Sequence, residues 1–223
     1  YKAVCWTDFF QGIMMLIALL AIPIAICLTQ NLDTSLLNQV VTGSDGTQYS
    51  FVSNVFSASW QEIVSGLAWG LGYFGMPHIL VRFMGIKKPS LVKKSATVAI
   101  IWVVLALVSA ILIAYFGRML VGEQLLAAGM QKMVFIELAR MLFPAFIAGL
   151  LMAAIIAASM STADSQLLVA SSSFTADIYK PVFRKKATDK EVLWVGRAVV
   201  IVISVIAYFI ASSKGSGAQA IMN

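Results

Sequence analysis

Five long apolar stretches constrain the fold of this chain more than any other feature of its sequence. They lie at residues 4–29, 55–80, 96–116, 144–173 and 192–211. A helix needs roughly 20 apolar residues to cross the hydrocarbon core of a bilayer, and each stretch reaches that length. Only 12% of the residues are charged, whereas soluble domains carry about a quarter. The sequence therefore predicts an all-α integral membrane protein with five transmembrane helices.

The basic residues of the loops predict how these helices are oriented. The regions after the second and fourth stretches are rich in lysine and arginine, whereas residues 30–60 contain neither. By the positive-inside rule, both basic regions are cytoplasmic. The net charge of +6 is thus interpreted as a topology signal, with the lipid bilayer as partner and no nucleic acid expected. We expect a multi-pass protein of the cell membrane.

Two further features concern the extent of the chain and its outer surface. Residue 1 is not methionine, and both ends of the chain lie beside apolar stretches. We therefore expect a central part of a larger protein. Residues 123–142 have amphipathic spacing. They are interpreted as an external helix packed over the bundle, with a mobile gate as the alternative.

Four ionisable residues lie inside the predicted helices, where a charge is costly and usually faces a cavity or a partner. Glu62 is near the outer start of the second helix, so we expect water to solvate it. His78, the only histidine, is expected to make a structural hydrogen bond, with proton coupling as the alternative. Asp8 and Asp164 fall in the cytoplasmic half of the bilayer. Few lysines or arginines are expected at that depth, so an ion is the expected partner of Asp8.

The fourth stretch carries an unusual group of hydroxyl side chains. Ala158, Ser161, Thr162 and Ser165 follow i, i+3, i+4, i+7 spacing and therefore share one face of a helix. Hydroxyl and backbone oxygens, with a carboxylate nearby, suit a hard cation. The alternative is that these hydroxyls bond back to their own helix or hold neighbouring helices together.

The second stretch is predicted to be interrupted. It contains four glycines within ten residues, at 66, 70, 72 and 75, followed by Pro77. Discontinuous helices at membrane depth are where transporters expose backbone to substrate. Trp69, Tyr73 and Pro77 are spaced four apart and are predicted to share a face that suits a small zwitterion. Tight helix packing through small residues is the alternative.

Several sequence motifs resemble those of a known transporter family. They are WTDFFQG (6–12), WGLGYFGMPHILVRFM (69–84), AASMST (157–162), SQLLVASS (165–172), DIYK (177–180) and VGR (195–197). Together they resemble the sodium/solute symporter family, and within it the branch that transports proline. The resemblance runs along essentially the whole chain, and residues 1–223 are accordingly interpreted as part of one symporter domain.

The resemblance implies a fold and a coupling ion. The family has an inverted-repeat, leucine-transporter-like fold, of which this chain corresponds to five helices. In the family, Na⁺ is bound at positions matching the Ala158 carbonyl and the Ser161 and Thr162 hydroxyls. Asp8 matches an acidic residue important for sodium coupling. In relatives with a second sodium site, that carboxylate joins hydroxyls equivalent to Ser161 and Ser165.

The resemblance also implies a substrate. Trp69, Tyr73 and Pro77 match positions that line the proline pocket. The chain departs from the proline branch at Asp164, where that branch has a small polar residue, and at Met76, where it has a glutamine. The expected activity is sodium-coupled proline import by alternating access, without enzymatic chemistry. The alternatives are a symporter for another small organic solute, a transport-like sensory domain of a signalling protein, and a channel.

Overall fold

The structure is a computed structural model that describes residues 2–50, 59–73 and 75–212. The helices are α1 (Lys2–Thr29), α2 (Trp60–Tyr73), α3 (Pro77–Met84), α4 (Ser90–Leu120), α5 (Gly122–Ala127), α6 (Val134–Leu142), α7 (Ala145–Ser173) and α8 (Asp189–Ser212). Two 3₁₀ turns, Thr34–Asn38 and Gln131–Met133, and a short hairpin of β1 (Val41–Thr42) and β2 (Gln48–Tyr49) lie between them. A π-helical segment, Phe174–Phe183, continues α7.

The predicted five-span, all-α membrane architecture is confirmed. Four helical segments are long and apolar enough to cross a bilayer: Val4–Thr29, Ser90–Leu120, Ala145–Phe183 and Asp189–Ser212. The fifth span is the pair α2 and α3, which are bent by 46° at a short break. Its predicted first residues, 55–58, lie outside the described part of the chain. The helical spans extend beyond several predicted boundaries because polar residues at their ends continue the helix into the interfacial region.

The tightly packed part of the bundle is the half that the predicted orientation places outside, called here the outer half. There α1 packs against α7 and α4, and α6 lies across all three. Ile22 and Ile26 of α1 and Leu138 of α6 are fully buried. Small residues of α7, including Ala148 and Ala154, are also buried at this end. Small residues let helix backbones approach closely, which favours the van der Waals contacts that hold membrane helices together.

The outer connection between α4 and α7 is more divided than the amphipathic pattern predicted. The prediction of one continuous helix over residues 123–142 is wrong, because the chain forms α5, a 3₁₀ turn and α6 instead. Gly129 ends α5 with a φ of +67°, a conformation that glycine adopts without steric cost. The packing expected of an external helix is nevertheless found in α6, which buries Leu138 and Ala139.

A second close contact fixes α6 on α4. A Cβ atom added at Gly117 of α4 would clash with the Val134 side chain of α6. Outside it, the short hairpin turns at residues 44–46, with Gly46 at a φ of +76°. The Asp45 carboxylate accepts hydrogen bonds from the Thr47 amide at 3.0 Å and the Tyr49 hydroxyl at 2.9 Å. These bonds lower the pKa of Asp45.

At the inner end, α7 turns into α8 through the π-helical segment. Pro181 lies inside that segment and has no amide hydrogen to donate, which favours a departure from α-helical bonding. The Ser171 hydroxyl donates to the Gly196 carbonyl at 2.8 Å, joining α7 to α8. Close by in the loop, Glu191 accepts from Tyr179 at 2.7 Å and pairs with Arg184 at 3.1 Å.

Candidate ion and substrate sites

Three polar side chains from three helices meet at the inner end of the bundle. Arg82 Nη2 of α3 lies 2.8 Å from Asp8 Oδ2 of α1 and 2.6 Å from Ser165 Oγ of α7. The Ser165 hydroxyl in turn donates to the same Asp8 Oδ2 at 3.0 Å. We call Asp8, Arg82 and Ser165 the inner junction. It closes a triangle of charge-assisted hydrogen bonds, which are stronger than those between neutral groups.

The members of the inner junction differ in their exposure. The Asp8 side chain is 13% exposed and the Arg82 side chain 55%, while Ser165 is buried. Asp8 Oδ1 is buried and has no hydrogen-bond partner within the described ranges. A cavity of about 20 Å³ adjoins the junction and is also lined by Cys5 and His78. That volume holds about one water molecule.

The presence of Arg82 corrects one expectation. The sequence predicted few protein cations at the depth of Asp8 because Arg82 was assigned to the loop after the second span. Helix α3 instead extends to Met84, so Arg82 lies in its last turn. A long arginine side chain reaches inward while its helix stays near the interface. The spacing of His78, Val81 and Arg82 predicts that they share a helix face, and all three line the cavity beside Asp8.

The hydroxyl face of α7 is only partly covered. Ser165 is buried, Ala158 and Ser161 are half-buried, and Thr162 is exposed. Thr162 donates back to the Ala158 carbonyl at 3.3 Å, which is the alternative role considered for these hydroxyls. Asp164 is half-buried on the neighbouring face, three residues after Ser161.

The predicted interruption of the second span is present. Helix α2 runs through Gly66, Gly70 and Gly72 and ends at Tyr73, and α3 begins at Pro77. In the break, the Gly75 and Met76 amides donate to the Gly72 and Tyr73 carbonyls. Proline is suited to the first position of α3, because the first amide of a helix has no intrahelical acceptor.

The three predicted substrate residues are divided between two helices. Trp69 and Tyr73 are 64% and 51% exposed and line a groove of about 440 Å³ together with Met76. Pro77 lies beyond the 46° bend. Pro77 is not among the residues that line this groove. Its common face with Trp69 and Tyr73 stays a prediction, because the spacing argument assumed one continuous helix. The sequence identified Met76 only as a departure from the proline branch, although its place beside the break favoured a position in the groove.

Two further ionisable residues, Glu62 and His78, lie in different surroundings. Glu62 Oε2 accepts from the Ser59 amide at 2.7 Å and the Ser59 hydroxyl at 3.0 Å, at the exposed start of α2. These contacts form a capping box, in keeping with the solvated helix end predicted for Glu62. His78 lines the cavity beside Asp8, and the structural hydrogen bond expected of it stays a prediction.

Comparison with known proteins supports the transporter interpretation of these features. The model of the sodium:solute symporter family matches residues 1–222. The chain is 38% identical over 224 residues to the high-affinity proline transporter PutP of Bacillus subtilis (97% of this chain, 45% of the relative). It is 41% identical over 217 residues to sodium/proline symporter 2 of Staphylococcus saprophyticus (96% and 41%). It is 36% identical over 217 residues to the sodium/proline symporter of Escherichia coli (96% and 42%).

The chain thus spans less than half the length of these curated relatives. No solved structure matches it. The family match nevertheless covers all but one residue, and it includes the inner junction, the hydroxyl face of α7 and the broken second span. The chain belongs to the sodium:solute symporter family.

Proposed function

We propose that the protein containing this chain imports proline together with sodium. The observation that carries the proposal is the break between α2 and α3, beside which Trp69 and Tyr73 line an open groove. A broken helix frees backbone groups for a zwitterion, and aromatic faces bind an apolar ring and an ammonium group. The names of the relatives, proline transporter and sodium/proline symporter, support this substrate.

Sodium binding is proposed for the hydroxyl face of α7. The Ala158 carbonyl and the Ser161 and Thr162 hydroxyls supply the neutral oxygens that a hard cation prefers. Thr162 donates its hydroxyl hydrogen to its own helix, so its oxygen is still able to accept, and Ser161 beside it is half-buried. An ion is a suitable partner for both oxygens. Asp8 and Ser165 are proposed to form a second sodium site or to couple sodium binding to transport.

The proposed mechanism is alternating access. Sodium bound at α7 favours the conformation in which the groove at Trp69 accepts proline. Because coupling between two ligands is reciprocal, proline must raise sodium affinity by the same factor. Residues 1–223 are proposed to be part of one symporter domain, in which the break between α2 and α3 changes geometry during the cycle.

Uptake of radiolabelled solute by cells that express the complete protein tests this proposal. We expect proline uptake in sodium buffer and very little in potassium buffer. Equal uptake in both buffers would exclude sodium coupling. Met76 lines the groove, so the same cells should also be given other small solutes. If the cells take up another solute but not proline, that solute replaces proline as the proposed substrate. If they take up none of the solutes, a sensory domain is favoured.

A further inference from the structure

We propose that Arg82 is an internal cation that alternates with sodium at Asp8, and that Gln11 is an additional ligand of that ion. The inference rests on the proposed sodium coupling and extends it to two residues with no assigned role. It is carried by the geometry of the inner junction and by two buried oxygens beside it.

The first observation is that one cation already occupies Asp8. Arg82 Nη2 lies 2.8 Å from Asp8 Oδ2, and Ser165 shares that oxygen. A buried carboxylate is stable only with a positive partner or hydrogen-bond donors. Arg82 provides both here. A sodium ion bound to the same carboxylate would repel the guanidinium at this distance, so the two cations favour separate states.

The second observation is a difference in exposure within the ion pair. Arg82 is 55% exposed, whereas Asp8 is 13% exposed. Within the described residues, Arg82 is thus less enclosed than Asp8, so we expect it to leave the junction more readily than the carboxylate. Asp8 stays in place. Helix α3 contains no buried residue, so few packing contacts oppose the movement of Arg82 and its helix.

The third observation is a pair of unused acceptors. Asp8 Oδ1 and Gln11 Oε1 are both buried without a hydrogen-bond partner in the part of the chain that the structure describes. They lie one helical turn apart on the same face of α1. Buried acceptors without donors are costly, and two on one face are suited to a hard cation. Arg82 satisfies Oδ2 only, so Oδ1 and the Gln11 oxygen are available to sodium, and the charge of the bound ion then repels the guanidinium from the shared carboxylate.

The consequence is a link between ion occupancy and the broken span. While Arg82 holds Asp8 and Ser165, α3 is tied to α1 and α7. When sodium replaces the guanidinium, this tie is released. Because α3 starts directly after the break that follows Trp69 and Tyr73, its position is then coupled to the proposed substrate groove.

Two variants of the complete transporter with opposite expected effects test the inference. Arg82→Gln removes the competing cation, and the sodium concentration for half-maximal proline uptake should fall about tenfold, the scale of one charge-assisted contact. Gln11→Met keeps an unbranched side chain without the acceptor, and that concentration should rise by a similar factor. Lys87→Gln, an exposed charge in the next loop, is the matched control and should change nothing. General damage would move both variants in the same direction.

An unchanged or raised sodium requirement in Arg82→Gln would overturn the inference. If that variant does not accumulate in the membrane, Arg82→Lys replaces it, because its shorter reach makes it a weaker competitor and a smaller decrease is expected. Wild-type uptake without sodium dependence would instead be a failure of the proposed function. In that case, the sodium concentration that stabilises the purified protein against heat is compared between Arg82→Gln and Gln11→Met. If the two variants do not shift this concentration in opposite directions, the inference is also overturned.

Discussion

The two ends of the α1–α7 helix pair are held together by different contacts. At the outer end, Ile22 and Ile26 of α1 pack with buried small residues of α7 and with Leu138 of α6. At the inner end, Asp8 and Ser165 are joined through Arg82 by hydrogen bonds of 2.6 to 3.0 Å. Close apolar packing does not respond to the ions in solution. A polar contact does respond, because water or an ion takes its place.

The difference assigns separate tasks to the two ends. Close-packed interiors resist continuous deformation, so the outer end is suited to keep α1, α4, α6 and α7 together throughout the proposed transport cycle. The inner end combines charge, partial exposure and a small cavity. We therefore expect mutations at the outer end to change stability and mutations at the inner end to change the response to sodium.

The largest expected effect is on stability at the outer end. Leu138→Ala removes a fully buried side chain and should lower the free energy of unfolding by about 2–5 kcal/mol. The sodium requirement of the folded protein should not change. Thermal unfolding in detergent measures the loss, and Leu28→Ala, at a residue that is 79% exposed, is the control. Equal losses in the two variants would remove the distinction between core and surface at this end.

The next effect concerns Asp8 at the inner end. Asp8→Asn keeps the shape of the side chain but removes its negative charge, so sodium activation of uptake should weaken by more than about tenfold. Asp8→Glu should retain part of the activation. Asp177→Asn changes an exposed carboxylate at the same end and serves as the control. Normal sodium activation in a well-expressed Asp8→Asn protein would leave Asp8 with a purely structural role.

These two regions also differ in how far the sequence predicts them. Hydropathy identifies the spans because every backbone group in lipid must be satisfied within a helix. Glycine and proline content identifies the break near Pro77, because both residue types weaken a helix at their own positions. The pairing of Asp8 with Arg82 joins residues 74 positions apart. Such a contact depends on the direction of the bend between α2 and α3, which no local pattern specifies. The same bend lies between Pro77 and the helix that carries Trp69 and Tyr73.

The hydroxyl face of α7 gives a smaller, more specific prediction. Replacing Ser161 or Thr162 by alanine should raise the half-activating sodium concentration about tenfold, since each loses one contact to a charged ligand. Ser159→Ala is the matched control, because Ser159 lies on the same helix and donates to its own Ile155 carbonyl at 3.2 Å. The assignment would move to another face if the control variant responded as strongly as the other two.

The smallest effect is expected in the outer hairpin, which belongs to neither end. Hydrogen bonds from Thr47 and Tyr49 lower the pKa of Asp45. The carboxylate therefore stabilises the hairpin at pH values above the ordinary carboxyl pKa, and this stabilisation is lost as the pH falls through the lowered pKa of Asp45. Hydrogen-exchange protection of the Thr47 amide should decrease over that acidic range. In Asp45→Asn the protection should not depend on pH, and persistent dependence would point to a different group.

The most direct test of the central claim is proline accumulation in proteoliposomes that contain the complete purified protein. An inward sodium gradient is imposed with equal proline concentrations on both sides. The account predicts that wild-type protein and folded Leu138→Ala accumulate proline against its gradient, that Asp8→Asn does not, and that an ionophore which dissipates the sodium gradient abolishes accumulation. Accumulation that survives the ionophore, or that is normal in Asp8→Asn, would contradict the account.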